Sequence, residues 1–168
     1  MKMDKRDEWL KMPDEKFFQS CRLDFFKATG KGGQKRNKTS SAVRLIHQPS
    51  DISVTSSNSR SQSQNRSDAL RKLKIQIALK FRSDNPLLEI NPEMSITNPD
   101  YPLWVAHVFD ILEISSFQLK DAAPKLGVST SKLQKLLARD TAIWQEFTRR
   151  RGKPSDGDQR AISEEQGS

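Results

Sequence analysis

Ala42-Val43-Arg44-Leu45-Ile46-His47-Gln48-Pro49-Ser50-Asp51-Ile52-Ser53-Val54-Thr55 carries the pattern that decides the fold. The stretch Ala42–His47 is rich in strand formers, Gln48 to Asp51 supplies a turn, and Ile52 to Thr55 alternates apolar with polar residues. Two such runs across a short turn predict a hairpin. Upstream, Arg22-Leu23-Asp24-Phe25-Phe26-Lys27 reads as a further strand, with Phe25 and Phe26 expected in the core rather than as stacking platforms. Before it, Pro13 suits the first turn of a short helix through Phe17, Phe18 and Ser20, with Asp14 and Glu15 near its positive end. Downstream, Leu70, Leu73, Ile77 and Phe81 recur at three- and four-residue spacing and predict a helix from about Asp68 to Phe81. One face should pack on the sheet, leaving Arg71, Lys72, Lys74, Lys80 and Arg82 in solvent or on phosphate. The polar run Ser56 to Ser67 has the composition of a linker.

Between the first two strands lies Gly30-Lys31-Gly32-Gly33-Gln34-Lys35-Arg36-Asn37-Lys38-Thr39-Ser40-Ser41. Glycines so closely spaced allow left-handed backbone and close approach to another molecule. No acid occurs between Lys27 and His47. Taken alone, the run is compatible with an ordinary flexible basic loop.

The net charge of +8 is unevenly placed. Residues 21–82 hold fourteen Lys and Arg against three acids, a surplus of +11, whereas residues 83–120 come to −5. Such segregation is the electrostatic footprint of a nucleic-acid partner and exceeds what solubility requires. Only 34% of residues are hydrophobic, so the core is modest. Cys21 is the sole cysteine, which excludes an intrachain disulfide and is consistent with a reducing compartment. No apolar run reaches membrane-spanning length, and the acids in Met1 to Glu8 argue against a transit peptide. The cytoplasm is the expected location.

After Ser83, four prolines break an acidic connector, and apolar residues then return at helical spacing at Leu103, Trp104, Val108, Ile111 and Leu112. Leu119 to Ser129 followed by Thr130 to Ala138 resembles a helix-turn-helix, with Gly127 at the turn and Ser129 as the cap of the second helix. Pro124 sits badly in the first of these helices. The plainer alternative is a structural hairpin packed around Trp104, Leu133, Leu137 and Trp144. The expected organisation is residues 1–82, a connector at 83–102, a helical appendage at 103–153 and a disordered tail at 154–168.

The glycine run resembles the catalytic domain of class I peptide chain release factors, whose pattern is Gly-x-Gly-Gly-Gln-x-x-Asn-Lys-x-x-Ser-Ala-Val-Arg. Here it falls on Gly30, Gly32, Gly33, Gln34, Asn37, Lys38, Ser41, Ala42, Val43 and Arg44, and continues through Ser59-Arg60-Ser61-Gln62 and Asn65. The resemblance spans about residues 20–82. It implies an α+β fold, a three-stranded antiparallel sheet with one long helix, to which the helical appendage is added. It makes the polar run an RNA-facing turn leading into the helix.

The resemblance also implies hydrolysis of the ester joining peptide to transfer RNA, with Gly32, Gly33 and Gln34 as catalytic residues. Lys31, Lys35, Arg36, Asn37, Lys38, Arg44, Arg60 and Gln62 are the implied RNA contacts, and Asn37 alternatively caps the loop. The implied partners are ribosomal RNA and peptidyl-transfer RNA, met by a monomer, with no cofactor and no metal. Only 29 residues precede Gly30, and no Pro-x-Thr or Ser-Pro-Phe tripeptide appears. The expectation is therefore a short, codon-independent rescue factor. Such relatives end in a basic tail, whereas Arg149-Arg150-Arg151-Gly152-Lys153 is followed here by Asp156, Asp158, Glu164 and Glu165. No Gly-x-Ser-x-Gly elbow is present, and His47 and His107 are expected in structural or surface roles. A competing reading is a non-catalytic ribosomal RNA or DNA binder that uses the helix-turn-helix-like region.

Overall fold

The computed structural model describes residues 5–27, 41–83, 86 and 90–152. They fall into two compact units, Met1–Phe81 and Arg82–Ser168. The first contains α1 (Lys5–Lys11), α2 (Asp14–Gln19), β1 (Cys21–Phe26), β2 (Ala42–His47), β3 (Ile52–Ser56) and α3 (Gln62–Lys80). The second is all helical: α4 (Tyr101–Ile114), α5 (Leu119–Lys125), α6 (Thr130–Ala138) and α7 (Thr141–Arg151). The expected α+β architecture with a helical appendage is what the chain adopts.

The sheet is antiparallel in the order β1-β2-β3. Its register runs from Cys21↔His47 to Phe26↔Ala42 on one side and from Val43↔Ser56 to His47↔Ile52 on the other. The hairpin closes with Asp51 N–H donating to His47 O at 2.8 Å, and Asp51 takes φ 57°. Alternation places Val43, Leu45 and His47 on one face of β2, all buried, while Arg44 points to the other face and is exposed. α3 packs against β2 and β3, burying Ala69, Leu73 and Ile77.

α3 begins earlier than the apolar periodicity predicts. Gln62 to Ser67 belong to the helix, and Ser61 caps it by accepting a 3.3 Å bond from Gln64 N–H. The polar run is thus a strand end, a tight turn and the opening of a helix, and not a linker. Two cations expected in solvent are also tied down. Lys74 is buried, its Nζ donating to Met12 O at 3.1 Å and Asp14 Oδ1 at 2.9 Å. Arg82, in the second unit, donates to Ala106 O and Asp110 Oδ1, each at 3.2 Å. In the first unit the reason is α2, which brings Asp14 over a side of α3 that sequence spacing alone assigns to water. α1 has no periodic sequence signal, being only seven residues long, and is held instead by tertiary contacts. Arg6 bonds Phe81 O at 3.0 Å, and Trp9 sets its ring edge-on to His47 and Phe81 at 4.9 and 5.6 Å.

In the second unit, Trp104, Val105, Val108, Phe109, Ile111 and Leu112 make α4 apolar nearly all round, as suits a central helix. α4 also takes in Tyr101 and Pro102, so its helix starts ahead of Leu103. α5 and α6 are joined through Gly127, whose φ of 72° favours glycine, and Ser129 Oγ accepts from Lys132 N–H at 3.2 Å to cap α6. Pro124 is accommodated one residue before the end of α5. Leu133 and Leu137 are buried as expected, whereas Trp144 is half-buried and Ile143 and Phe147 supply the core from α7.

His47 is fully buried, its ring stacked 4.8 Å from Phe17, with Nδ1 sharing a 2.7 Å hydrogen bond with Ser50 Oγ. Burial lowers its pKa from the ordinary 6.5, so the folded unit holds it neutral and the unfolded chain takes up the proton first. Stability is then complete above pH 6.5 and declines as pH falls below that value. Urea midpoints are expected to drop between pH 7.5 and 5.5, and His47→Phe is expected to reduce that drop. A drop of unchanged size in the variant would show that other groups cause it.

Candidate functional site

β1 and β2 end and begin as a matched pair, Phe26 opposite Ala42. The segment bearing the glycine run therefore leaves and re-enters the sheet at neighbouring positions. Gly30, Lys31, Gly32, Gly33, Gln34, Lys35, Arg36, Asn37 and Lys38 lie outside the described residues. Ser41, which closes the segment, is described and half-buried.

Ser41 is held by Asn65, whose side chain is only 1% exposed. Asn65 Nδ2 donates to Ser41 O at 2.7 Å and to Ser59 O at 2.8 Å, while its Oδ1 accepts from Ser59 N–H at 2.9 Å. One amide thus uses both donors and an acceptor on backbone, joining the end of the glycine segment to the turn before α3. That turn is internally bonded: Ser61 N–H donates to Ser59 Oγ at 3.1 Å, and Ser59 Oγ donates to Gln64 Oε1 at 3.0 Å. The local sequence folds this way because Ser and Asn side chains compete well for backbone groups just outside a helix.

Of the expected RNA contacts that are described, Arg60 and Gln62 are exposed at this turn. Arg44 is exposed on the outer face of the sheet, opposite Asp24 and Thr55. Arg66 is a further exposed cation on α3, its guanidinium 3.9 Å from the centre of the Phe18 ring. Asn65 is the residue sequence reasoning did not assign to the site. Its signal was its fixed place after Ser59-Arg60-Ser61-Gln62, but that could not tell a contact with RNA from a buried tie.

Burial pushes the Cys21 thiol up to about 11, so it is no nucleophile near neutral pH. Burial pushes the Asp68 carboxyl up, but hydrogen bonds from Ser56 and Lys72 outweigh this and hold it below the usual range. His107 is buried in the second unit. Among the described residues no group of His, Cys, Asp and Glu is arranged to hold a metal ion.

Residues 17–91 match the RF-1 domain family model. That stretch is similar to the RF-1 domain of peptide chain release factors. Peptide chain release factor 2 of Thermomicrobium roseum is 51% identical over 65 residues, which is 38% of this chain and 17% of that protein. Peptide chain release factor 2 of Bordetella avium is 53% identical over 53 residues, 32% of this chain and 14% of the relative. Peptide chain release factor 1 of Limosilactobacillus reuteri is 50% identical over 59 residues, 35% of this chain and 16% of the relative. The chain spans under a fifth of the length of these curated relatives. The release-factor match covers the sheet, α3 and the glycine segment, and stops short of α4 to α7.

Truncating the amide tests its structural weight. Asn65→Ala leaves two carbonyls and one N–H of Ser41 and Ser59 without their buried partner and is expected to cost about 2–4 kcal/mol. Chemical denaturation measures this, and a loss below about 0.5 kcal/mol, the range of an ordinary surface change, would contradict the geometry.

Proposed function

We propose that the chain hydrolyses the peptidyl-transfer RNA ester on the ribosome and does so independently of a stop codon, at stalled complexes. The observation that carries the reading is the release-factor match across residues 17–91, with its Gly32-Gly33-Gln34 segment rooted between paired strand ends. Water attacks the ester carbonyl, the tetrahedral intermediate collapses, and the carbon–oxygen bond to the ribose breaks. The peptide leaves as a carboxylic acid, and the transfer RNA oxygen takes a proton to become a hydroxyl.

Such a reaction asks the protein for positioning rather than for acid–base groups. Holding water in attack geometry is worth up to about 7–11 kcal/mol in good intramolecular models. One donor aimed at the developing oxyanion contributes about 2.7–4 kcal/mol. Gln34 supplies a backbone N–H for that role, and its side-chain amide orients water and excludes other nucleophiles. Gly32 and Gly33 carry no Cβ to obstruct approach in a crowded RNA-lined centre. Lys31, Lys35, Arg36 and Lys38 meet phosphates, with Asn37, Arg44, Arg60 and Gln62 as further RNA contacts. The partners are ribosomal RNA and peptidyl-transfer RNA, and the compartment is the cytoplasm.

A second reading has one observation in its favour. α6, capped by Ser129, leaves Thr130, Ser131, Gln134 and Lys135 exposed along one side, as a groove-reading helix would. Removing residues 101–153 separates the two: a binder of this kind loses its target, and a hydrolase retains some release at high concentration.

Peptide release from ribosomes stalled on truncated messengers tests the main reading. Wild type is expected to release peptide there without a stop codon. Gly33→Ala is expected to keep ribosome binding and lose about 10²–10³-fold in rate, the scale of one lost oxyanion donor. Equal release by both proteins would end the proposal, and release at stop codons alone would end its codon-independent part.

A further inference from the structure

Phe25 and Phe26 depart most from the sequence expectation: they are 50% and 36% exposed, not buried. The cause is topological. β1 is an edge strand, and α3 packs chiefly on β2 and β3, so among the described residues the main helix–sheet packing lies away from β1. Phe17, Phe109 and Phe147, by contrast, are at most 1% exposed, Phe117 is 7% exposed, and Phe18 and Phe81 are half-buried. Strand alternation sends the two rings to opposite faces of the sheet edge, Phe25 beside Val43 and Phe26 beside Ala42.

Cations flank both rings. Lys27 follows directly and is exposed, and Arg22 and Arg44 share the outer face with Phe26. The one acid there, Asp24, is engaged by Arg22 at 3.3 Å. Two neighbouring aromatic rings on an unpaired edge strand are a liability unless something covers them. An unpaired nucleic-acid strand presents what this surface lacks, flat bases for the rings and phosphates for the cations. A purely apolar protein partner would leave Lys27 and Arg44 without counter-charge.

We infer that the end of β1 is a stacking platform for unpaired RNA, with Phe25 and Phe26 each taking a base and Lys27 and Arg44 the adjoining phosphates. That the strand is RNA rests on the ribosome-directed reading above; the stacking itself does not. The platform sits at the root of the glycine segment, so it would fix that root against the RNA beside which the ester is cleaved.

The test uses the full chain and a fluorescein-labelled twelve-nucleotide oligo(A) ribonucleotide, with anisotropy measured at several salt concentrations. Phe25→Leu/Phe26→Leu keeps apolar bulk but removes the rings. It is expected to weaken binding about tenfold with an unchanged salt slope and an unchanged thermal midpoint. Phe25→Tyr/Phe26→Tyr is expected to bind as wild type, and Arg44→Gln to reduce the salt slope by about one. Binding by the leucine variant equal to wild type, or no binding by wild type, overturns the inference. If the leucine variant also loses ribosome affinity while oligo(A) binding is unchanged, the surface meets protein instead, and the inference again fails. A tenfold loss on oligo(A) with no peptide release by wild type sustains the platform and rejects the hydrolase reading.

Discussion

The bond from Asn65 to the carbonyl of Ser41 is the constraint on which the first unit depends. Without it, the chain entering β2 loses its tie to α3, and the turn at Ser59 loses its central acceptor and donor. With it, the end of the glycine segment, the turn and the first residues of α3 are fixed to one another by one buried amide. The other root is fixed by the sheet, where Phe26 faces Ala42. Tying both ends of a segment to a rigid scaffold reduces the ordering cost left for binding, which is the physical sense of preorganisation. α3 then carries the constraint into the core through Ala69, Leu73 and Ile77.

The same scaffold keeps its own reactive groups out of the chemistry. His47 is stacked among aromatic rings and held neutral, and the Cys21 thiol is raised by burial. Lys74 is spent on Met12 and Asp14 inside the fold. A unit built this way suits the proposed reaction, which asks for one amide donor and an ordered water rather than for titrating groups.

The hairpin was legible because strand periodicity is local: Ala42–His47 appears as predicted, and Ile52–Ser56 extends the predicted strand by one residue. The α5–α6 pair was legible through Gly127 and Ser129, whose conformations follow from residue type. What the sequence hid was set by neighbours distant along the chain. α3 starts at Gln62 because Ser61 caps it, and a cap leaves no apolar stripe to read. Lys74 is buried because α2 crosses it, and Phe25 is exposed because β1 is at an edge, neither of which spacing can express. Asn65 was matched to the motif but given no role, because its backbone partners at Ser41 and Ser59 are not visible in local spacing. The residues assigned to catalysis were read from motif resemblance alone and lie outside the described part of the chain.

A cryo-EM map of the chain on a ribosome stalled over a truncated messenger examines the central claim most directly. The account predicts the β1–β2 end of the sheet facing the peptidyl-transferase centre, with Asn65 still bonded to Ser41 and Gln34 against the ester. A map in which the chain docks through α5 and α6, with that end of the sheet turned away from the reaction centre, would contradict it.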